Sequence, residues 1–346
     1  MRAIRFFCLF GLMLALPAFA QEGLTAKEIL IGQSAGFSGA VGPLVKELTE
    51  GAKACFQAVN SRGGVHGRKI VLESMDDGFE PKRTAENTRS LIELKKVFAL
   101  FLYRGTPTTE AALPIVAEAR IPLVGPSTGA QTMYTPQNRY LFPVRASFYY
   151  EMGKIAEQLA TLGLTRIAVI RADDSFGKDG MTGLETQLRG RGMGASVVAT
   201  YPRNTTNVDE AVRKVLPVQP QAVVMISAAN AATAIVKQMK KAGAEPLFIM
   251  PSTGSSDSFI KGLGEEGRGV AVTQVTPYPW GADARVAREY RQAMKDAGSS
   301  TISYASFEGY LAARVLVEGL KRAGKALNRE KLVGALESMR EYDLGG

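Results

Sequence analysis

Short runs rich in β-branched and apolar residues recur along the chain, at Ile29–Gln33, Lys69–Met75, Val97–Leu102, Ile121–Gly125, Arg166–Arg171, Ala195–Tyr201, Ala222–Ser227, Leu247–Met250 and Val270–Val275, with amphipathic stretches between them. This alternation leaves few folds open, because parallel strands need a crossover long enough to hold a helix. It predicts a doubly wound, Rossmann-like α/β protein, and the length suggests two such lobes. Residues Ile29 to Thr84 carry the pattern in miniature: strand, Gly/Ser turn, helix, Gly63-Gly64 break, second strand, Asp76-Asp77 turn. In that helix Leu44, Leu48, Ala52, Cys55, Phe56 and Val59 share one face.

Met1–Ala20 reads as an export leader, with Arg2 and Arg5 ahead of an apolar run and Ala18-Phe19-Ala20 for cleavage after Ala20. The mature protein is therefore expected to start at Gln21 in the periplasm. Without Arg2 and Arg5 the chain keeps 40 Lys and Arg against 33 Asp and Glu, a balance of +7. A nucleic-acid binder needs a basic stripe with interleaved aromatics, whereas Lys82, Arg83, Arg89, Lys95 and Lys96 read as one solvated helix face. The only cysteines are Cys8, in the leader, and Cys55, so the mature chain forms no internal disulfide. Chain crossings are expected at Tyr140–Arg145 and Thr276–Trp280, giving a first lobe of 21–144 plus 276–346 and a second of 145–275. The chain stops at Gly346 directly after a helix, where another strand is expected next.

In open parallel sheets, ligands bind beyond the carboxyl ends of the strands. That rule selects Ser34–Gly39, Tyr103–Thr109, Pro126–Gly129, Asp173–Phe176, Ser227–Asn230 and Ser252–Ser255. Thr106 is expected to cap a helix with Pro107 in its first turn, where free amides attract a carboxylate. Gly125-Pro126-Ser127-Thr128-Gly129 matches the nucleophile-elbow pattern of serine hydrolases, but the only histidine, His66, precedes Ser127. Asp76-Asp77 and Asp173-Asp174 lack the alternating ligands of a calcium loop and read as turns and helix caps, so no metal is expected. No dinucleotide or ATP fingerprint follows a strand, and no cofactor is expected.

The segments Ile31-Gly32 to Ser38-Gly39, Gly51-Ala52 to Lys69-Ile70 and Asp76-Asp77 to Thr84 resemble the type I periplasmic solute-binding proteins of the branched-chain amino acid class. So do Gly105-Thr106-Pro107-Thr108, Ile121 to Pro126, Asp173 to Gly180 and Ser306 to Tyr310. The resemblance implies two lobes with a hinge, joined by three crossover strands of which the third, with the rest of the second lobe, is expected beyond Gly346, a solute trapped between the lobes, and delivery to an ABC permease driven by its ATPase subunit. It implies a monomer without enzymatic chemistry. By position, Thr106 matches the hydroxyl that holds the ligand carboxylate and Ser127 the next polar contact, with Thr128 alongside. Gly129 falls where relatives often have threonine, so its backbone alone can contribute. Phe176 matches an aromatic that closes from the second lobe, Ala228 stands where amino-acid binders have another, and Asn230 is near it. The acid that pairs with an α-ammonium falls near Ser252 or Thr253, neither of them charged.

A buried ammonium without a carboxylate is costly. An amino acid therefore remains one reading and an amine-free aromatic or aliphatic acid, or an amide, another. Tyr103, Phe148, Tyr149 and Phe176 are candidates for an apolar wall or for core packing, and Arg104 and Arg145 for counter-ions or surface pairs. Two other classes share these features: a ligand-sensing receptor subunit, and a serine hydrolase using Ser127.

Overall fold

The computed structural model describes residues 21–345. The leader expected at Met1–Ala20, with Cys8, and Gly346 lie outside the described residues. Two five-stranded sheets form, and every strand pairing in them is parallel. The first orders β2 (Lys69–Asp76), β1 (Glu28–Ala35), β3 (Ala99–Phe101), β4 (Leu123–Val124) and β5 (Leu141–Phe142). The second orders β10 (Val270–Val272), β9 (Leu247–Met250), β8 (Ala222–Ile226), β6 (Ile167–Ala172) and β7 (Ala195–Tyr201). In each sheet the chain starts in an inner strand, steps to one side and then crosses to the other. The reversals fall between β1 and β3 and between β6 and β8, and crevices open at such points.

Strands covered by helices on both faces read as continuous apolar runs. Val223 to Ile226 and Ile167 to Ile170 are fully buried, and with Phe248 they join helices α4 (Phe148–Thr161), α5 (Ser175–Arg189) and α7 (Ala229–Lys241) in one core. A separate core packs Ile29, Ile31 and Phe101 against α1 (Gly42–Asn60) and the C-terminal helices α9 (Arg285–Asp296), α10 (Tyr304–Arg322) and α11 (Arg329–Glu337). The chain therefore returns to the first sheet after serving the second.

Helices α1 and α10 cross at glycines. A Cβ on Gly51 would lie 1.7 Å from the Ser306 carbonyl oxygen, and one on Gly309 would lie 1.8 Å from that of Leu48. The start of α10 is fixed by a reciprocal capping box between Ser303 and Ser306. Tyr304, its first residue, packs against Trp280, ring centroids 5.6 Å apart, and Trp280 against Tyr278 at 5.3 Å. This aromatic group is half exposed beside the second crossing.

Three expectations need correction. The strand expected over Ile121–Gly125 is only Leu123–Val124, and the one over Val270–Val275 stops at Val272, where the chain leaves the sheet toward the other lobe. A tenth strand, β5, was not anticipated, because two residues ended by Pro143 carry no periodicity. Thr106 does not cap α3 (Thr106–Glu118): Gly105, at φ 96°, takes that place, and Thr106 is the first helical residue.

Candidate functional site

Where the two strand-order reversals face each other lies a narrow cavity of about 30 Å³, room for roughly two water molecules. Val41, Phe79, Arg104, Gly105 and Thr106 line it from the first lobe. Phe148, Ala172, Asp174, Phe176, Tyr201, Arg203, Asn204, Ala228 and Thr253 line it from the second. Phe79, Phe148, Phe176 and Tyr201 give the walls much of their apolar surface, with the Phe148 and Phe176 rings 5.1 Å apart. A few polar groups interrupt them, as is usual for small-molecule sites.

The turn between β3 and α3 places the polar groups. Gly105 lets the backbone swing at the strand end, and Thr108 Oγ1 donates back to the Arg104 carbonyl, fixing the first helical turn. The Thr106 hydroxyl then lies 2.7 Å from that of Thr128, both buried. Arg104 is 5% exposed; its Nη1 donates to the Ser127 carbonyl at 2.6 Å and its Nε has no partner. Burial, and then the neighbouring Arg145, push its guanidinium down to about 10, which leaves it charged at neutral pH.

On the second lobe Asp174 caps α5, its Oδ1 accepting from Gly177 N at 2.9 Å. Arg203 reaches Asp174 Oδ2 at 3.6 Å and Glu80 at 3.2 Å, donates to the Phe79 carbonyl, and stacks over the Phe79 ring at 4.9 Å. Burial pushes the Asp174 carboxyl upward, against the bond from Gly177 and the charge of Arg203.

Behind the cavity, at the crossings, a second polar group is buried. Arg145 pairs with Glu151 at 2.7 Å and Glu308 at 3.3 Å and also bonds Ser252. Glu151 Oε2 further accepts from Ser252 N at 2.7 Å and from Thr273 Oγ1 at 2.6 Å. Glu308 accepts from Ser127 Oγ at 2.8 Å. Residues of both lobes thus share one charge cluster next to Val144 and Val275, where the chain crosses.

Of the residues singled out in the sequence, Arg104, Thr106, Phe148, Phe176, Ala228 and Thr253 line the cavity, and Thr128 supports Thr106. Ser127 is turned to Glu308 and Asn230 bonds the next backbone N–H; neither lines the cavity. Gly129 lies behind it, its carbonyl accepting from Phe148 N at 2.6 Å. Tyr103 is a core residue: it is fully buried, and its hydroxyl is 3.1 Å from that of Thr88. Tyr149 packs by Gly183 instead of the cavity. His66 sits in a surface turn with Nε2 3.0 Å from the Lys321 carbonyl, so Ser127 has a glutamate as neighbour and no imidazole. Phe79, Tyr201, Arg203 and Asn204 were not anticipated. They sit past strand or turn ends with no local pattern of their own, although Asn204 lies in a run of turn residues.

The lobes meet around the mouth through polar contacts. Glu47 accepts from the N–H groups of Asp257 and Ser258, at 2.9 and 3.1 Å, at the start of α8 (Asp257–Leu263). Glu110 accepts from Ser175 Oγ at 2.6 Å, and Asn204 Nδ2 donates to Glu80 at 2.6 Å.

The family model described as periplasmic binding protein matches residues 28–346. A Leu/Ile/Val-binding protein homolog 8 of Brucella abortus is 24% identical over 327 residues, 90% of this chain and 80% of that protein. Among solved structures, a substrate-binding periplasmic protein from Ralstonia solanacearum superposes with a TM-score of 0.88 at 35% identity, covering 92% of this chain and 91% of that one. A possible leucine/isoleucine/valine-binding protein from Rhodopirellula baltica gives a TM-score of 0.88 at 28% identity, over 92% and 88% of the two chains.

Proposed function

Because the chain belongs to the periplasmic binding protein family, we propose that it is the solute-capturing component of an ABC importer. In this reading it is exported to the periplasm, cleaved after Ala20, and works as a monomer. It takes a small carboxylate-bearing solute between lobes 21–144 plus 276–346 and 145–275, and presents the closed form to a permease and its ATPase subunit. The observation that carries the reading is the cavity itself: it is walled by residues of both sheets at their reversal points, and polar, water-exchangeable contacts ring its mouth.

Thr106, with Thr128 behind it, offers a hydroxyl at the start of α3, where partial positive charge favours a carboxylate. Phe176, Ala228 and Thr253 complete the cage from the other side. The carboxylate is common to branched-chain amino acids and to amine-free acids, so this reading holds for either. Closure by ligand requires contacts in both lobes, since only differential affinity shifts a two-state equilibrium. A thermal-shift and calorimetric screen of the mature chain against amino acids, aliphatic and aromatic acids, short dicarboxylates and amides tests it. Ligands raise the melting point by mass action, and a screen with no stabilising compound refutes solute capture by this site.

A further inference from the structure

We propose that the buried guanidinium of Arg104 is the counter-ion of the bound solute, and that the site selects a small monocarboxylate lacking an α-amine. The inference rests on the solute-capture reading and narrows its ligand class.

The argument is an inventory of charge around the cavity. Two guanidiniums and one carboxylate line it: Arg104, Arg203 and Asp174. Arg203 has two carboxylate partners, Glu80 and Asp174, and donates to the Phe79 carbonyl, although its Nε, like that of Arg104, makes no hydrogen bond. Arg104 has no carboxylate partner: its one hydrogen bond goes to the Ser127 carbonyl, and among the described residues no carboxylate comes within ion-pair distance of it. The acids whose charge acts on it, Glu308 and Glu151, are held by Arg145, Ser127, Ser252 and Thr273. Burying an unpaired charge is expensive, and an incoming carboxylate offsets that cost while receiving a planar, two-pronged donor. The Thr106 hydroxyl lines the same wall.

An ammonium finds no such partner. The positions expected to supply an acid, Ser252 and Thr253, are occupied: Ser252 bonds Arg145 and Glu151, and the Thr253 hydroxyl donates to the Ser227 carbonyl at 2.8 Å. Asp174 is the one remaining acid, with one oxygen capping α5 and the other 3.6 Å from Arg203 Nε. An ammonium brought to it would sit beside a guanidinium, and like charges at that range repel. What faces the rest of the solute is apolar: Val41, Phe79, Phe148 and Phe176.

The test is titration calorimetry on the mature chain with matched pairs that differ by the amine: leucine against isocaproate and phenylalanine against hydrocinnamate, with benzoate as a further amine-free acid. The expected result is that at least one amine-free acid binds, tenfold or more tighter than its amino-acid partner where it has one. Arg104→Met is expected to weaken that acid about 100-fold, the worth of a charge-assisted bidentate contact. Arg104→Lys is expected to recover part of the loss, since it keeps the charge without the fork. If Arg104→Met does not fold, the wild-type pairs and Arg104→Lys still decide. Binding confined to the amino acids, equal affinity within a pair, or unchanged affinity in Arg104→Met overturns the inference and leaves solute capture standing. Absence of binding across all five compounds overturns the inference, and solute capture falls with it only when the wider thermal-shift screen also finds no stabilising compound.

Discussion

Replacing Gly51 or Gly309 by alanine tests the packing that attaches the C-terminal helices to the first lobe. The added methyl would stand 1.7 Å from the Ser306 oxygen in the first case and 1.8 Å from the Leu48 oxygen in the second, whereas ordinary contact begins near 3.4 Å. The obstructing atoms are backbone in both cases, so no side chain can step aside, and α1 and α10 must separate by about 1.6 Å. Overpacking of this kind costs about 3 kcal/mol or more, partly offset by the higher helix propensity of alanine, about 1 kcal/mol. Both substitutions demand the same separation, so once one is present the second is nearly free. The double variant is expected to lie within about 1 kcal/mol of the worse single one, a large departure from additivity. Urea melts followed by circular dichroism measure the three free energies. Single variants that lose under about 1 kcal/mol, or a double variant at the sum of the singles, refute the reasoning. Because Glu308 adjoins Gly309 and accepts from Ser127 at 2.8 Å, the same displacement is expected to reach the crossing cluster and weaken solute binding in step with stability.

Glu47→Gln replaces a carboxylate that receives two backbone N–H groups of the opposite lobe and leaves one acceptor oxygen; it is expected to raise the solute off-rate about tenfold, since the lost charge-assisted bond is worth about 1.5 kcal/mol. An unchanged off-rate in stopped-flow measurements counts against Glu47 as a closing contact. Glu151→Gln removes one charge from a buried pair and is expected to cost about 3 kcal/mol in a denaturant melt, with under 1 kcal/mol excluding the account given of the cluster. Burial pushes the Cys55 thiol up to about 12 from 9.0. Its raised folded value gives a contribution present below about pH 9 and lost as pH rises toward 12, because the unfolded chain ionises first. Cys55→Ala is expected to flatten that alkaline limb of the stability profile, and an identical slope in both proteins contradicts the assignment.

Much of the architecture was legible because the alternation of β-branched runs with amphipathic segments is long and regular. The Ile29–Thr84 unit shows strand, helix and strand within a residue or two of the observed ends. What failed was short or non-periodic: β5 at Leu141–Phe142 has two residues, and the end of β10 is decided by the chain leaving for the other lobe. The site was half legible for a different reason. The strand-end rule picks the segments and the family resemblance picks Thr106, Phe176, Ala228 and Thr253 within them, but which side chain turns into the crevice depends on tertiary packing. Tyr103 and Ser127 lie in the selected loops yet point to Thr88 and Glu308. Arg203 and Phe79 reach the cavity only because the lobes meet, and no local pattern carries that information.

The aromatic group at the second crossing makes the protein its own instrument. Trp280 is the only tryptophan of the sequence, so ultraviolet emission excited at the red edge comes from a single indole whose surroundings are known. It is 47% exposed and rests on Tyr278 and on Tyr304, the residue that opens α10. Four residues on, the same helix carries Glu308 into the cluster where the lobes join. Rotation of one lobe against the other therefore alters the packing and wetting of that indole, so its colour and its quenching by acrylamide report closure with no attached dye.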